Sequence, residues 1–453
     1  MSNNFIQVYE HQSLKVDDKG ENSKGKDWKF EEKTFKSLIK YRGGKEKFKF
    51  FELINNGVKF KQYVGVLQVG IVTIEVLPKI DKASENNKTV DLEKSNSEKS
   101  KWQNVLIGMI KTVNAFDVKH SENANLNVKH NTILELYFEM FIVEVERLLH
   151  LGLIKKYRKT EGNLGALKGK LKFSKHISKN IVHKEKFYVE YTTYDVDHIL
   201  HRIIYKTIKL LRKINNNAKL DSKIGSLLLN FPELKDIKAD ETTFEKITYT
   251  RKTESYRLAI SISKMLLLNY HPDISNGRRD VLALMFDMNV LWEKFVLKTL
   301  RKTLDGYEIK GQSRKDFWQG TRNTLLKPDL VITKKSDDKS DDKSNNNTII
   351  IDTKWKQAKN PKDLPGSSDL HQLFAYAIYW KSTKVALLYP GESSKEVEGK
   401  YLMNNTKCNL LFAGGPKKSV TEPEKRDDDI NLMKENIKCV VSKFLEISEK
   451  ECN

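Results

Sequence analysis

Short apolar runs separated by polar turns fill the first 80 residues of the chain, and this pattern predicts β-strands. The stretch FKFFELINNGVKFKQYVGVLQVGIVTIEVLPKI, residues 48–80, is rich in Val, Ile and Phe, which strands favour. Within it, Asn56 and Gly57 form the Asn-Gly pair that is typical of a tight hairpin turn. We expect a β-rich N-terminal region, residues 1–101, that ends in a polar linker without periodicity at residues 81–101.

The spacing of apolar residues changes at Trp102, where they begin to recur every three or four positions. This period is the mark of amphipathic helices. It predicts that residues 102–278 form a mainly helical region, interrupted by a short strand at residues 166–173. The predicted helices of this region are WQNVLIGMIKTV (102–113), NTILELYFEMFIVEVERLLHLGLIKKY (131–157), DHILHRIIYKTIKLLRKI (197–214) and SYRLAISISKMLLLNY (255–270).

Helical and strand patterns alternate in a third region, residues 279–453. A Ser-Asp-Asp-Lys repeat within residues 334–347 predicts an exposed turn, and a serine is expected to cap the helix that begins at residue 367. Together the three regions predict a multidomain α+β protein with a β-rich N-terminal region, a largely helical middle and a C-terminal α/β domain. The predicted elements of the third region are helices at 280–304, 367–381 and 430–447 and strands at 307–312, 324–333, 348–356, 384–390 and 408–415.

The charge of the chain is strongly positive. Lys and Arg number 81 against 60 Asp and Glu, which gives a formal net charge of +21. Such a surplus favours polyanionic partners, above all nucleic acid, because binding them releases counterions. The alternative is a compositional bias toward Lys and Asn, which raises the basic count without any such partner.

Cysteine usage and the lack of long apolar runs bear on the compartment. The three cysteines, Cys408, Cys439 and Cys452, form no Cys-x-x-Cys pair, which argues against a thiolate zinc site or a disulfide framework. The first residues lack a signal-peptide pattern, and no apolar run approaches the roughly 20 residues of a membrane span. We therefore expect a cytoplasmic protein that does not bind membranes.

Two apolar runs of the third region, LLKPDLVIT and IIIDTKWK, carry their acidic residues, Asp329 and Asp352, at the strand ends. Since strand side chains alternate between faces, Asp352 and Lys354 project to one side, and hairpin pairing places Asp329 across from them. Mg²⁺ prefers a few carboxylate oxygens with water and phosphate oxygens, and the carbonyl of Thr353 adds a further oxygen. Such an ion polarises a phosphate and lowers the pKa of its bound water, while Lys354 offsets charge that develops on the phosphorus.

Ordinary structure is the alternative explanation for these residues. Asp-x-Lys triplets are frequent by chance, and Asp after Pro is a usual turn residue. Two further polar residues favour a site. Glu293 is a lone acid in the apolar pattern of a predicted helix, and Gln372 lies in the first turn of another helix. Each of these two is otherwise explained as a solvated side chain at a helix edge.

In chain order, a helix Glu, a strand Pro-Asp, a strand Asp-x-Lys and a helix Gln resemble the PD-(D/E)XK nuclease superfamily, whose core is restriction-endonuclease-like. The resemblance covers roughly residues 281–390. It implies that Asp329 and Asp352 bind the metal and that Lys354 serves the attacking water. It also implies that Glu293 and Gln372 support the site. The Ser-Asp-Asp-Lys insertion departs from the tight hairpin of that superfamily.

Segments in the first two thirds of the chain point to one particular family with such a nuclease domain. The stretches GVLQVGIVTIEVLPKI, LHLGLIKKYRKTEGNLGALKGKLKF and YDVDHILHRIIYKTIKLL are similar to the McrC family, the nuclease subunit of modified-cytosine restriction systems. This resemblance implies a Mg²⁺-dependent endonuclease that acts on DNA containing modified cytosine. It also implies that the N-terminal region docks on an McrB-like, GTP-hydrolysing AAA+ hexamer and stimulates its GTPase, with residues 102–278 as an adaptor.

The sequence lacks a nucleotide-binding loop of its own. GALKGKL carries Gly165, Gly169 and Lys170 at a spacing one residue too short for a Walker A loop, and no Ser or Thr follows the lysine. Any NTP-driven motor is therefore expected to be a partner. His198 and His201 have a spacing that suits a metal, but no third ligand of matched spacing accompanies them.

Two other functions stay open from the sequence. One is a non-enzymatic activator of the AAA+ ring whose nuclease fold has lost activity, and the presence of Asp329, Asp352 and Lys354 argues against it. The other is a stand-alone DNA repair nuclease. The IEVLPKI segment and the large helical region argue against that function.

Overall fold

The computed structural model of the chain places two compact units, Met1–Val118 with Met285–Asn453, and Lys119–Leu284. The predicted domains 1–101, 102–278 and 279–453 stay a prediction. The described residues are 5–23, 25–43, 48–78, 92–114, 132–271, 280–320, 323–335, 348–356, 365–391, 393–403, 405–415 and 426–447.

Strands and helices alternate along the described chain, which confirms the predicted multidomain α+β class. The strands are β1 (Phe5–Tyr9), β2 (Ser13–Lys15), β3 (Lys19–Glu21), β4 (Asp27–Lys29), β5 (Phe51–Ile54), β6 (Gly57–Phe60), β7 (Tyr63–Val69), β8 (Val72–Leu77), β9 (Lys156–Leu164), β10 (Lys170–Leu171), β11 (Phe187–Asp195), β12 (Tyr270–His271), β13 (Val281–Asp287), β14 (Tyr307–Gly311), β15 (Lys315–Trp318), β16 (Thr324–Leu326), β17 (Leu330–Lys334), β18 (Ile349–Thr353), β19 (Lys384–Gly391), β20 (Lys395–Val397) and β21 (Lys407–Gly414). The helices are α1 (Glu32–Arg42), α2 (Leu92–Asn114), α3 (Ile133–Leu151), α4 (Phe173–Asn180), α5 (Ile199–Ile214), α6 (Ala218–Asn230), α7 (Glu241–Glu245), α8 (Arg257–Leu268), α9 (Met288–Thr303), α10 (Ser367–Trp380) and α11 (Arg426–Phe444).

A six-stranded mixed sheet lies in the part of the first unit that follows β13. Its strand order is β14-β17-β18-β19-β21-β20, with β17 antiparallel and β19 parallel to the central strand β18. All five residues of β18, IIIDT, are buried, as expected for a central strand that is covered on both faces. One face packs on α10, where Ile350 joins Leu373, Tyr376 and Val385 in a single core cluster.

The N-terminal part of the first unit holds the predicted strands. β1 runs parallel to β8, and β8 pairs antiparallel with β7. Glu75, in the IEVLPKI segment, is fully buried on β8, and its Oε2 accepts hydrogen bonds of 2.8 Å from the side-chain amides of Gln7 and Gln103. These bonds tie β1 and β8 to α2, so the acid holds this region together.

The second unit contains the predicted helices α3, α5 and α8, and α5 contacts both α6 and α8. It also contains a three-stranded antiparallel sheet in the order β10-β11-β9, which the sequence analysis did not predict beyond a short strand at residues 166–173. Every residue of β9, KYRKTEGNL, is exposed or half-buried. Because β9 carries almost no apolar residues, hydrophobic periodicity gives no signal for it.

Several element boundaries differ from the predictions. Residues 92–101, predicted as linker, form the start of α2, where the Nζ of Lys99 donates 2.6 Å to the carbonyl of Glu21. This segment is rich in the polar helix formers Glu and Lys and is held by a polar contact, so it shows no apolar period. The rest of that linker, residues 81–91, lies outside the described residues.

The predicted helix at 280–304 is a strand, β13, followed by α9. The helix begins only after Asp287, whose carboxylate accepts hydrogen bonds from the backbone N–H groups of Asn289 and Val290 and so caps it. The predicted serine cap of α10 is also wrong, because the cap residue is Gly366.

Two predicted turns have different outcomes. In the predicted Asn-Gly turn, Asn56 has a φ of 57°, but Gly57 already pairs with Ile54, so the loop residues are Asn55 and Asn56. Residues 336–347, most of the predicted Ser-Asp-Asp-Lys turn, lie outside the described residues. None of the described helices is both long enough and apolar enough to cross a membrane.

Candidate active site

The register of two strands places the candidate acids side by side. Leu330 of β17 pairs with Ile351 of β18, so Asp329, just before β17, lies opposite Asp352. Ile350 faces α10, and alternation along the strand therefore directs Asp352 to the same side. The structure thus brings together the acids of the two apolar runs.

Asp329 is fixed by the strand beside it. Its Oδ2 accepts hydrogen bonds from the backbone N–H of Thr353 at 2.7 Å and from the hydroxyl of Thr353 at 2.8 Å. Burial raises the pKa of Asp329, and the two bonds from Thr353 lower it in part. The backbone carbonyl of Asp329 accepts from the N–H of Gln312 at 3.0 Å, which ties the end of β14 to the same position.

Asp352 is the most deeply buried acid of the group, with 2% of its surface exposed. Burial first, and then the charge of Asp329, raise its pKa to about 7. Its Oδ2 lies 2.7 Å from the Nζ of Lys354 as an ion pair, yet it accepts no well-directed hydrogen bond from any described residue. Among the described residues, this buried carboxylate oxygen therefore has an ion pair but no hydrogen bond.

Lys354 lies among carboxylates. Besides Asp352, its Nζ donates to Oε1 of Gln372 at 3.2 Å and lies 3.9 Å from Oδ1 of Asp369, both on α10. Burial alone would lower the pKa of Lys354, but Asp352 and the other nearby acids outweigh burial and raise it. The amine is therefore a fixed cation at neutral pH.

Glu293 projects from α9 into the surroundings of the same acids. It is 8% exposed, and its Oε1 accepts a hydrogen bond of 2.7 Å from the side-chain amide of Gln312. Burial first, and then the charge of Asp329, raise the pKa of Glu293. It is thus a buried acid beside the candidate site and not a solvated charge at a helix edge.

Three residues of this arrangement were missed in the sequence. Gln312 holds Glu293, Asp369 pairs with Lys356 at 2.7 Å, and the hydroxyl of Tyr376 accepts from the side-chain amide of Gln372 at 2.6 Å. Helical spacing could have indicated two of them. Asp369 lies three residues before Gln372 and Tyr376 four residues after it, so all three lie on one face of the helix. No sequence signal points to Gln312.

The donor set suits a magnesium ion in part. Two neighbouring carboxylates with raised pKa values, one of them buried and with a poorly bonded oxygen, are an arrangement that a divalent cation would relieve. Among the described residues, however, no group of three or more His, Cys, Asp or Glu is arranged as a metal site. Magnesium suits this shortage, since it usually keeps waters and takes only one or two carboxylates.

The two histidines that sequence spacing singled out lie in a hydrogen-bonded core. His201 is fully buried, and its ring nitrogens contact the carbonyl of Val196 at 2.7 Å and the hydroxyl of Tyr256 at 3.0 Å. His198 contacts the carbonyl of Ile154 at 3.2 Å. These contacts give both rings a structural role.

Comparisons with known proteins place the chain among restriction-system proteins. A family model described as McrBC 5-methylcytosine restriction system component matches residues 58–390. A chain of the refined half-complex from a tetradecameric assembly of Thermococcus gammatolerans McrB AAA+ hexamers with bound McrC is similar in fold. Its TM-score is 0.64 and its identity 18%, over 97% of this chain and 99% of that chain.

A second similar structure is the cryo-EM structure of the Thermococcus gammatolerans McrBC complex. A chain of it aligns with a TM-score of 0.45 and 20% identity, over 66% of this chain and 88% of that chain. No curated protein matches the sequence. The likeness to the half-complex chain, at 18% identity, is one of fold alone.

Proposed function

Because the chain belongs to the McrBC 5-methylcytosine restriction system component family, we propose that it is the DNA endonuclease subunit of a modification-dependent restriction system. It cuts DNA by Mg²⁺-assisted hydrolysis of phosphodiesters. The observation that carries this proposal is the group formed by Asp329, Asp352 and Lys354 at neighbouring strand ends. The order of these residues also resembles the PD-(D/E)XK nucleases.

The carboxylates of Asp329 and Asp352 and the carbonyl of Thr353 would hold the ion. When bound, Mg²⁺ supplies a Lewis acid that polarises the phosphate and lowers the pKa of water. Thr353 already orients Asp329 through two hydrogen bonds, so the position of that carboxylate is set before any ion binds.

Lys354 acts as a cation and not as a base. Its raised pKa keeps it protonated at neutral pH, so its ammonium group would orient the attacking water and stabilise negative charge on the phosphorus. Gln372 and Asp369 hold the amine on the side of α10. Glu293, fixed by Gln312, adds a further buried acid beside the two aspartates and supports the site.

A partner supplies the motor and the reading of the modified base. The sequence has no Walker A loop, and the similar structure from Thermococcus gammatolerans contains McrB AAA+ hexamers with bound McrC. We infer that this chain docks on an McrB-like, GTP-hydrolysing AAA+ hexamer through its N-terminal region and stimulates it. The substrate is then DNA that contains modified cytosine, in the cytoplasm.

One alternative has an observation in its favour. A non-enzymatic activator of the ring fits the lack of a three-ligand metal group among the described residues. The neighbouring carboxylates of Asp329 and Asp352, whose pKa values are both raised, argue for the nuclease, because an inactive domain gains nothing from two acids that repel each other. A stand-alone repair nuclease is disfavoured by the family match across residues 58–390.

Plasmid cleavage with and without the ring separates these functions. Purified chain, Mg²⁺ and cytosine-methylated plasmid are incubated alone and with the cognate McrB-like ring and GTP. The proposal predicts cleavage only with the ring, and of methylated plasmid only. Cleavage by the chain alone supports the stand-alone nuclease, whereas stimulated GTP hydrolysis without any cleavage supports the activator.

A further inference from the structure

A two-stranded hairpin beside the candidate site exposes aromatic side chains. β15 and β16 pair antiparallel, and all four residues of β15, KDFW, are exposed. Phe317 is 46% exposed, Trp318 53% and Leu325, across the hairpin, 46%. A cluster of large apolar side chains on an exposed strand pair marks a surface that binds another molecule.

The hairpin is held against α10, the helix that carries Gln372. The Nζ of Lys315 donates 2.7 Å to the carbonyl of Tyr379, and the hydroxyl of Tyr379 donates 3.3 Å to the carbonyl of Phe317. The rings of Phe317 and Tyr379 contact edge-to-face at 5.5 Å. A two-stranded sheet is marginal alone, and these contacts fix its position relative to the site.

Trp318 is positioned by a glycine. A Cβ built on Gly320 would lie 2.2 Å from the indole ring of Trp318, so the ring packs directly over this residue. The register of the pairing also shifts between Asp316 and Trp318, as it does at a β-bulge. Bulges redirect side chains next to functional sites. The exposed indole thus has a defined place.

The hairpin leads into the candidate site and carries positive charge. Between residues 313 and 327 the sequence has four cations, Arg314, Lys315, Arg322 and Lys327, and one acid, Asp316. Asp329 follows Lys327 by two residues. The carbonyl of Lys327 accepts a hydrogen bond of 3.2 Å from the hydroxyl of Tyr376. The same hydroxyl accepts a hydrogen bond from the side-chain amide of Gln372.

Building on the nuclease function, we propose that the β15–β16 hairpin is a duplex DNA contact beside the scissile phosphate. Phe317 and Trp318 pack on sugars and base edges of the groove, while Arg314 and Lys327 bind phosphates. Cations that flank apolar side chains suit a polyanion with stacked bases, and apolar wedges of this kind pack between base steps in other DNA-bound proteins. The position next to Asp329 sets the distance from this contact to the cut.

DNA binding without cleavage tests this proposal. The full chain in EDTA is titrated onto a fluorescein-labelled duplex, and anisotropy gives the dissociation constant. Trp318→Ala is expected to weaken binding about tenfold, by loss of aromatic contact with the bases, whereas Trp318→Phe keeps most of the affinity. Gly320→Ala should weaken binding as well, because the new methyl group displaces the indole. The matched control is Leu402→Ala, since Leu402 is 89% exposed in the same unit.

The result that overturns the proposal is equal duplex affinity for Trp318→Ala, Leu402→Ala and the unsubstituted chain. Sedimentation velocity on the same variants measures self-association and tests whether the hairpin instead contacts a second copy of the chain. Loss of self-association in Trp318→Ala with unchanged DNA affinity assigns the hairpin to an interface between copies and also rejects the DNA contact. Because binding is measured in EDTA, a failure of the nuclease proposal shows separately, as lack of cleavage by the unsubstituted chain with its ring.

Discussion

At the scale of residues, the candidate site is a pair of neighbouring acids that repel each other, of which Asp352 is buried and Asp329 half-buried. Asp329 and Asp352 lie at neighbouring strand ends, and both pKa values are raised. Two such carboxylates do not both ionise readily without a counter-charge, which is the usual state of a site prepared for a cation. Lys354 supplies one positive charge, and an ion of charge two would complete the compensation.

Proton and magnesium binding should therefore compete at Asp352. An acid whose pKa rises from 3.8 to about 7 on folding stabilises the metal-free protein at low pH. That stability is lost as the pH rises from about 4 to about 7. If Asp352 holds Mg²⁺ as proposed, its carboxylate is ionised and ready for the ion above pH 7, whereas below pH 7 the metal must displace a proton.

We predict that the dissociation constant of Mg²⁺ falls about fivefold between pH 6 and pH 7, about tenfold between pH 6 and pH 8, and levels off above that. Thermal-shift titrations with Mg²⁺ at fixed pH values measure it. Asp352→Asn serves as control, since it keeps the side-chain shape without a titrating acid and should bind Mg²⁺ weakly at every pH. Equal affinity of the unsubstituted chain at pH 6 and pH 8 would argue against Asp352 as a ligand.

Asp369 offers a second test at this scale, because its charge contributes to the raised pKa of Asp352. Asp369→Asn should lower that pKa and move the pH profile of Mg²⁺ binding to lower pH, in addition to loosening Lys354. At pH 8, where Asp352 is ionised in both proteins, the variant is expected to bind Mg²⁺ several-fold more weakly than the unsubstituted chain, because one negative charge near the ion is lost. An unmoved profile means that Asp369 acts only in packing.

The sequence predicts those contacts of the site that lie within one strand or between neighbouring strands, but not those between elements that are distant in the sequence. Alternation within one strand placed Asp352 and Lys354 on one side, and pairing of neighbouring strands placed Asp329 near them. Gln312 lies at a left-handed turn with a φ of 51°, and its bond to Glu293 joins a strand end to a separate helix. No periodic pattern encodes such a contact, so sequence analysis could not find it.

At the scale of elements, most strands and helices with apolar periods were predicted, although β13 was predicted as helix, and those fixed by polar contacts were not. The central strand β18 and helices α5 and α10 follow their patterns. The first turns of α2 and the whole of β9 are polar, and their structure depends on partners distant in the sequence. The start of α9 depends on one capping carboxylate, Asp287.

The buried Glu75 makes a prediction about β8. Glu75→Leu removes the carboxylate that accepts hydrogen bonds from the side-chain amides of Gln7 and Gln103. Loss of these two buried hydrogen bonds should destabilise this region by about 2–4 kcal/mol. Hydrogen exchange of the β1 and β8 amides measures the local change. The control Glu32→Gln removes a surface ion pair with Lys36 and is expected to change stability by less than about 0.5 kcal/mol. Equal exchange in both variants would refute a structural role for Glu75.

At the scale of the whole molecule, the net charge of +21 should dominate the binding of DNA. If about six phosphates are neutralised, affinity for a duplex falls roughly a thousandfold between 50 and 200 mM salt. Anisotropy titrations in EDTA at several salt concentrations measure the slope of log affinity against log salt. Lys327→Ala should reduce that slope by about one. A slope near zero would show that the charge surplus reflects composition and not DNA contact.

The family match spans residues 58–390, so it includes both the IEVLPKI segment and the candidate site. In the structure, residues 1–118 and 285–453 form one compact unit. The indole of Trp355, just after β18, donates 2.8 Å to the carboxylate of Glu10 in the N-terminal region. Periodicity in the sequence carries no information about this contact, because it joins residues 345 positions apart.

Cleavage of cytosine-methylated plasmid by the chain with its McrB-like ring, GTP and Mg²⁺ is the most direct test of the central claim. Asp352→Ala is compared with Asp305→Ala, which removes an exposed carboxylate of the same unit. We predict that Asp352→Ala stops cleavage while it still stimulates GTP hydrolysis, and that Asp305→Ala cuts like the unsubstituted chain. Undiminished cleavage by Asp352→Ala would show that this carboxylate is not part of the catalytic site.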